Sequence, residues 1–187
     1  MRILFCGVGA LGSTAATLCR NLPATLAFVD FDRVEAKNLA SQAYTRQAVG
    51  RNKAEALRAQ LRTFYGIDSQ AYPVRLSETN IAELAAGADL LVDCLDNIAG
   101  RTVILEYAGR AALPSVHAGL AADGTFGLVR WGERFVPDAE DEPGQATCEG
   151  GEHLPFIGLV AGRLASIIAG FVRDGTRTDA LVTPAGG

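Results

Sequence analysis

Two short stretches concentrate the groups able to do chemistry. The first, Gly7-Val8-Gly9-Ala10-Leu11-Gly12, spaces three glycines as G-x-G-x-x-G directly after an apolar run. Glycines at these steps let backbone approach a phosphate closely, and a helix opening there supplies unpaired N–H groups and partial positive charge. The second, Val29–Gln42, reads VDFDRVEAKNLASQ and sets Asp30 and Asp32 at the end of another apolar run. Asp30 follows the glycines by about twenty residues, the place where a carboxylate accepts hydrogen bonds from ribose hydroxyls. A nucleotide is implied.

Those features alone fit any dinucleotide-binding dehydrogenase. Beyond Asp30 and Asp32, however, come Asn38, Gln42 and Lys53, polar or cationic groups placed where a triphosphate would project. Cys94-Leu95-Asp96-Asn97 then closes a later apolar run with a second acid and an amide. An acid near phosphates suits Mg²⁺ better than nicotinamide. Metal plus triphosphate points to ATP.

To meet, these groups need elements that deliver them to one edge. Arg2–Cys6 reads as a buried strand, Gly12–Leu22 as a helix rich in Ala and Leu, and Thr25–Val29 as a second strand. Lys53–Phe64 carries Ala54, Leu57, Leu61 and Phe64 at helical spacing, and Gln70–Val74 reads as a third strand. Asn80–Ala86 predicts a short helix, Asp89–Cys94 a central strand, Arg101–Ala112 a helix and Ser115–Ala118 a strand. The alternation predicts an α/β fold: a Rossmann-like, mainly parallel sheet with helices on both faces. After Gly124, TFGLVRW reads as a short strand reached through a turn, an antiparallel addition near the C-terminal part. Glu133–Gly151 reads as a loop rich in acid, Pro and Gly; loops of such length are functional or mobile, and this one carries Cys148.

The 187 residues predict a single nucleotide-binding domain, 49% hydrophobic and 20% charged. A net charge of −4 gives no general attraction to nucleic acid or anionic lipid, which leaves small molecules or another protein as partners. Cys6, Cys19, Cys94 and Cys148 form no C-x-x-C pair, so neither a disulfide framework nor a zinc knuckle is indicated. A reducing cytoplasm fits, and no export signal is visible. Leu154–Val172 is nearly long enough to span a bilayer, but Arg163 sits at its centre and Pro155 where a first helical turn tolerates it. A buried or interface helix is the expectation, and no membrane partner. His117 reads as packed at a strand end and His153 as solvated; neither is given a role. The acidic run 138–142 reads as a solvated loop.

The segments GVGALGS, VDFDRVEAKNLASQ, VGRNKAEAL, DLLVDCLDN and TCEGGEHLPFIGLVAG, in this order from Arg2 to about residue 172, resemble the ThiF/MoeB/HesA adenylyltransferases, relatives of the ubiquitin-activating enzymes. The resemblance implies a domain that binds ATP and Mg²⁺. It also implies transfer of AMP to the C-terminal glycine carboxylate of a ubiquitin-like or sulfur-carrier protein ending in Gly-Gly. By that resemblance Gly7, Gly9 and Gly12 hold the nucleotide, Asp30 binds ribose, Asn38 and Lys53 contact phosphates, and Asp96 holds the metal. Cys148 matches a position where some members carry a cysteine that links covalently to the activated carrier; a spare thiol is the alternative.

The match departs in places. Family members usually read Asn-Leu-x-Arg-Gln after the acidic strand end, and here Ser41 takes the arginine's place. Arg46 and Arg51 lie further along and are candidates to replace that charge. The chain opens directly on its first strand, without the N-terminal helix that many members have. The terminal Gly186-Gly187 reads as a flexible end rather than a carrier tail. The resulting expectation is an adenylyltransferase, assembled as a homodimer through apolar helices, with Lys53, Asp96 and Cys148 as catalytic candidates. An inactive relative that binds a nucleotide or a partner, and an NAD-dependent oxidoreductase, are the alternatives.

Overall fold

Runs with no polar interruption become central strands because both of their faces must be covered. Strand β1 (Arg2–Cys6) pairs in parallel with β2 (Thr25–Val29) on one side and β4 (Leu90–Asp93) on the other. Strand β3 (Ser69–Tyr72) extends the sheet beyond β2, and β5 (Ser115–Leu120) beyond β4, both parallel. Two antiparallel strands, β6 (Gly127–Trp131) and β7 (Ala180–Val182), complete a seven-stranded sheet of order β3-β2-β1-β4-β5-β6-β7. The computed structural model describes residues 1–121, 123–137 and 151–185.

Helices cover both faces. On one, α1 (Ala10–Leu18), α2 (Lys53–Tyr65) and α5 (Leu154–Asp174) pack over Ile3, Phe5, Leu26, Phe28 and Trp131. On the other, α3 (Ile81–Leu84) and α4 (Ile98–Ala111) cover Leu4, Cys6, Ala27, Val29 and Leu91. Helix α5 is the one described helix long and apolar enough to cross a bilayer. Here it buries Phe156, Ile157, Val160, Leu164 and Ile168 in the core, as expected, and leaves Arg163 exposed.

Element types follow the sequence reading, with boundaries moved for local reasons. Helix α1 starts at Ala10, before the expected Gly12, and gives way to a 3₁₀ turn at Cys19–Asn21. Gly9 at its N-cap and Gly12 in its first turn disguise that start. Helix α4 starts at Ile98 rather than Arg101, because the Asn97 side chain caps it by accepting the Gly100 N–H. Strand β3 ends at Tyr72, immediately before Pro73, whose missing N–H cannot continue a ladder.

The strand order reverses between β1 and β4, and ligands of such sheets bind outside the carboxyl ends of the strands at that switch. The glycine turn follows β1, Asp30 follows β2 and Asp96 follows β4. All three motifs therefore sit at this edge.

Candidate functional site

The three glycines are not equivalent. Gly7 adopts a left-handed φ of +83°, and a Cβ there would meet the Cys94 carbonyl oxygen at 2.9 Å. A Cβ on Gly12 would lie 2.1 Å from the Gly7 carbonyl oxygen, so this glycine lets α1 fold back onto the turn. Around Gly9, the N-cap of α1, a Cβ would meet nothing within 4 Å. Gly7 and Gly12 shape the turn, and Gly9 leaves it open to an approaching phosphate.

Asp30 closes the turn from the side of β2. Its Oδ2 accepts the Val8 N–H at 2.9 Å and its Oδ1 accepts the Asp32 N–H at 2.9 Å. Burial pushes its carboxyl above the ordinary range, opposed by the Val8 and Asp32 amides and the nearby Lys53 charge. Each carboxylate oxygen retains a second lone pair, so a ribose hydroxyl can still donate to it.

Lys53 occupies the first position of α2, where the helix end disfavours a cation. It is nonetheless buried, and its ammonium meets Asp32 Oδ2 at 3.2 Å. Asn52 fixes this helix start: its side chain caps the Glu55 N–H and donates to the carbonyls of Asp30 and Asp32. Tyr44 joins the parts. Its hydroxyl is 2.6 Å from the Val8 carbonyl oxygen and 3.3 Å from that of Lys53. The glycine turn, the acidic strand end and Lys53 thus form one connected unit.

The intervening segment is a 3₁₀ turn at Ala36–Ala40, in which Asn38 Oδ1 accepts the Glu35 N–H at 2.8 Å. Gln42 follows, half-buried, with its Oε1 buried and lacking any hydrogen-bond partner among the described residues. Ser13, on α1, anchors the segment by accepting the Ala43 N–H at 3.0 Å. Ser41 is 2% exposed, whereas Arg46 and Arg51 are exposed. The inward-facing position lacks a cation, and the arginines lie outside it.

Beyond β4, Asp96 is exposed and accepts from Asn97 at 3.4 Å. No cluster of three or more His, Cys, Asp or Glu able to hold a metal occurs among the described residues. A single exposed carboxylate still fits Mg²⁺, which keeps its waters and takes further oxygens from substrate phosphates.

Sequence reasoning missed Tyr44 and the network behind Asp96. Asp93 is fully buried at the end of β4; its Oδ1 accepts the Leu95 N–H at 2.9 Å and its Oδ2 lies 2.8 Å from His117 Nδ1. The other His117 nitrogen is 3.2 Å from Ser115 Oγ, and the ring stacks on Phe135 at 4.2 Å. Arg101 lies 3.8 Å from Asp93 and donates to the Ala118 carbonyl. His117 is packed, as expected, with its ring nitrogens in a polar chain and its face on Phe135. His153, expected to be solvated, is half-buried with its ring against Gly124, where a Cβ would come within 2.8 Å. An acid inside the otherwise apolar LLVDC was the available signal for Asp93.

Burial pushes the Cys6 thiol well above its ordinary range and that of Cys19 up to about 12. Cys94, half-exposed as a residue just past β4, is likewise pushed far up by desolvation of its thiol. Cys148, the run 138–142 and Gly186-Gly187 lie outside the described residues. Gly151, three residues after Cys148, packs on Ala40 of the 3₁₀ turn that holds Asn38.

Comparison with known proteins places this geometry. A model of the ThiF family matches residues 1–172. The adenylyltransferase and sulfurtransferase UBA4 of Meyerozyma guilliermondii is 32% identical over 187 aligned residues, covering 92% of this chain and 44% of the relative. The adenylyltransferase and sulfurtransferase MOCS3 of Caenorhabditis briggsae is 30% identical over 169, covering 84% and 42%. The chain thus spans less than half the length of these curated relatives. Among solved structures, E. coli MccB with ATP superimposes with a TM-score of 0.78 at 16% identity, over 98% of this chain and 61% of that one. E. coli TcdA, a tRNA N6-threonylcarbamoyladenosine dehydratase, gives 0.59 at 22% identity, over 65% and 53%. These structures share the mainly parallel sheet and its helices. With the family model extending over both glycine turn and α5, the chain belongs to the ThiF family.

Proposed function

We propose that this chain adenylates the C-terminal glycine carboxylate of a small ubiquitin-like or sulfur-carrier protein, using ATP with Mg²⁺. The observation that carries the reading is Lys53: a buried cation at a helix start, tied through Asp32 and Tyr44 to the glycine turn and Asp30. Asp32 offsets the unfavourable placement of a cation at this helix start, and a bound phosphate would offset it further. The curated relatives named adenylyltransferases support the same reaction class.

The reaction asks little acid–base work of the protein. A carrier carboxylate oxygen bonds to the α-phosphorus, the bond from that phosphorus to the bridging oxygen breaks, and pyrophosphate departs with the electron pair. The site must neutralise phosphate charge and align the nucleophile. Gly9 admits the phosphates, Asp30 accepts from ribose, and Lys53 turns its charge to the triphosphate. Asn38 contacts phosphate in this reading, and Gln42, whose Oε1 is buried without a partner, follows it on the same segment. Asp96, with Asn97 beside it, would hold Mg²⁺, which would supply further charge neutralisation.

The assembly we infer is a homodimer in the cytoplasm, through apolar helix faces such as the exposed Leu154 and Leu159 of α5. A non-catalytic nucleotide-binding relative is the second reading, favoured by the uncharged, buried Ser41. ATP–pyrophosphate exchange in the presence of a carrier ending in Gly-Gly tests between them. Carrier-dependent exchange supports adenylation; ATP binding without exchange, across candidate carriers, supports the second reading.

A further inference from the structure

We infer that Ser115, His117 and Asp93 form a second reaction centre, which cleaves short-chain carboxylic esters through a covalent acyl-serine. It stands apart from adenylation. Ser115 opens β5 at its amino end, whereas the glycine turn, Asp30 and Asp96 lie at or past the carboxyl ends of their strands. Asp93 and His117 are register partners on β4 and β5. Side chains alternate along each strand. Val92, Val116 and Ala118 belong to the core under α1, α2 and α5, and Leu91 to the core under α3 and α4. Asp93, Ser115 and His117 therefore share the face covered by α4.

Their atoms meet in the order that nucleophilic catalysis needs. Asp93 Oδ2 lies 2.8 Å from His117 Nδ1, and His117 Nε2 lies 3.2 Å from Ser115 Oγ. An ionised carboxylate only accepts, so Nδ1 donates to it and Nε2 is left to accept the serine proton. The serine–histidine separation is within the reach of a nucleophile and its base. Phe135 stacks on the imidazole at 4.2 Å, and the Leu95 N–H holds the other Asp93 oxygen at 2.9 Å. The ring is thus oriented before a substrate arrives.

A purely structural chain of hydrogen bonds needs no access, but this one has it. Though buried, Ser115 lines a cavity of about 360 Å³ between the C-terminal half of α4 and the 3₁₀ turn at Gly132–Arg134. A Cβ on Gly132 would collide with Ser115 Oγ and come within 3.5 Å of His117 Nε2. Gly132 is itself on the cavity wall, so a glycine there keeps the space over the reactive pair open. Leu105, Ala108 and Leu113 supply an apolar wall for an acyl chain of a few carbons. Arg177, paired with Glu133 at 2.9 Å, is the cation on the same wall that developing negative charge can draw on.

In the reaction, Ser115 Oγ bonds to the ester carbonyl carbon while its proton passes to His117 Nε2. Asp93 positions the ring and balances the imidazolium charge. The bond from carbon to the alcohol oxygen then breaks, and the alcohol leaves with the proton from Nε2. Water attacks the acyl-serine by the same route, its proton passing through Nε2 back to Ser115 Oγ. Ester and water become acid and alcohol, and the protein is regenerated.

The test treats the full chain, without ATP, with a fluorophosphonate probe and with the p-nitrophenyl esters of acetate, butyrate and dodecanoate; melting temperatures confirm folding. The probe should bond to Ser115, located by peptide mass mapping, and the two short esters should be cleaved faster than dodecanoate. Ser115→Ala should abolish labelling and cut hydrolysis by at least about 10²-fold, as should His117→Asn, which keeps a donor for Asp93 but no base. Gly132→Ala should cost about 10²-fold by displacing the serine oxygen. Asp93→Asn, the same shape with the wrong hydrogen-bonding sense, should cut kcat by about 10⁴-fold and leave KM unchanged. Folded wild type that takes no label, a label on any residue other than Ser115, or hydrolysis that persists in Ser115→Ala overturns the centre. An unchanged kcat in Asp93→Asn overturns the three-residue arrangement, and dodecanoate cleaved as fast as acetate overturns the short-chain assignment.

Discussion

His117 Nδ1 lies 2.8 Å from Asp93 Oδ2, with both side chains buried, and this contact fixes the turn that carries Asp96. A carboxylate only accepts, so the histidine donates from Nδ1 and its Nε2 accepts from the Ser115 hydroxyl. The neutral tautomer satisfies every partner. The Asp93 carboxylate then fixes Leu95 by its N–H, while the Cys94 carbonyl between them backs Gly7. One buried chain supports both the loop that carries Asp96 and the glycine turn.

Removing the donor should therefore cost more than a cavity would. His117→Ala leaves a buried carboxylate short of a partner, a loss of about 3 kcal/mol or more in unfolding free energy. His117→Asn, whose amide can donate from nearly the same place, should lose about half as much. Denaturant melts of the three proteins measure this. A loss below about 1 kcal/mol for the alanine variant would show that Arg101 and the Leu95 N–H satisfy Asp93 without the histidine.

Lys53 should act on the outer phosphates. Lys53→Ala should weaken Mg·ATP by at least about tenfold, the scale of one charge-assisted contact, and AMP much less, because AMP lacks the β- and γ-phosphates. Asp30→Ala should weaken both alike, since ribose is common to them. Calorimetric titration with each nucleotide decides the matter; equal losses of ATP and AMP in Lys53→Ala would remove the lysine from its assigned place.

The fold was largely legible in the sequence, for a physical reason. Strands covered on both faces must be apolar throughout, so Ile3–Cys6 and Leu90–Val92 announce themselves, and glycine spacing marks the turn between β1 and α1. The candidate site was legible where residue type marks a chemical group, as at Asp30 and Lys53, which the structure joins in one connected unit. It was not legible where a role depends on distant partners. Tyr44 reaches Val8 across 36 positions, and the Asp93–His117 pair spans 24. No local pattern encodes either contact. The helix starts were misplaced because Gly12 and Gly100, poor helix formers, occupy first turns: Gly12 packs on the Gly7 carbonyl, and Gly100 lies against Leu95.

Asp30 gives the pH dependence a defined sign. Burial raises its folded-state pKa above the ordinary carboxylate value, so the folded protein holds that proton more tightly than the unfolded chain does. The ionised carboxyl thus lowers stability at neutral pH, and the penalty fades as pH falls through the raised pKa towards the ordinary value. Other carboxylates add their own slopes, so the comparison is with Asp30→Asn. Subtracting the two stability curves should leave a component that favours wild type increasingly as the pH drops through that window. A difference that is flat with pH, or slopes the other way, would mean that the Val8 and Asp32 amides outweigh burial.

Thiol chemistry separates Cys148 from the other three cysteines. Cys6, Cys19 and Cys94 are held as protonated thiols by burial, so iodoacetamide at pH 8 should modify them only at the rate of unfolding. If Cys148 accepts the activated carrier, a thiol-labile adduct should form with carrier and ATP. Cys148→Ser should abolish that adduct while ATP–pyrophosphate exchange continues. Mass mapping of the adduct to any other cysteine, or exchange lost together with it, would contradict the acceptor role.

Ser41 provides the sharpest test of the phosphate electrostatics. Its side chain is buried, so Ser41→Arg must force a long cation into a filled position, at a cost of about 1–3 kcal/mol. The variant should melt earlier than wild type, whatever it does to catalysis. Arg46 and Arg51 are exposed on the same segment. If one of them replaces the missing charge, its change to alanine should cut pyrophosphate exchange by about 10²–10³-fold, the scale of one preorganised contact to developing charge. ATP affinity should fall much less, and Ser41→Arg should then add nothing. If neither serves, wild type should bind ATP yet exchange pyrophosphate barely above background, and Ser41→Arg should raise the rate despite its lower melting point. Vigorous exchange that survives loss of both arginines would show that Lys53 and Mg²⁺ suffice, and that this family member needs no third positive charge at that place.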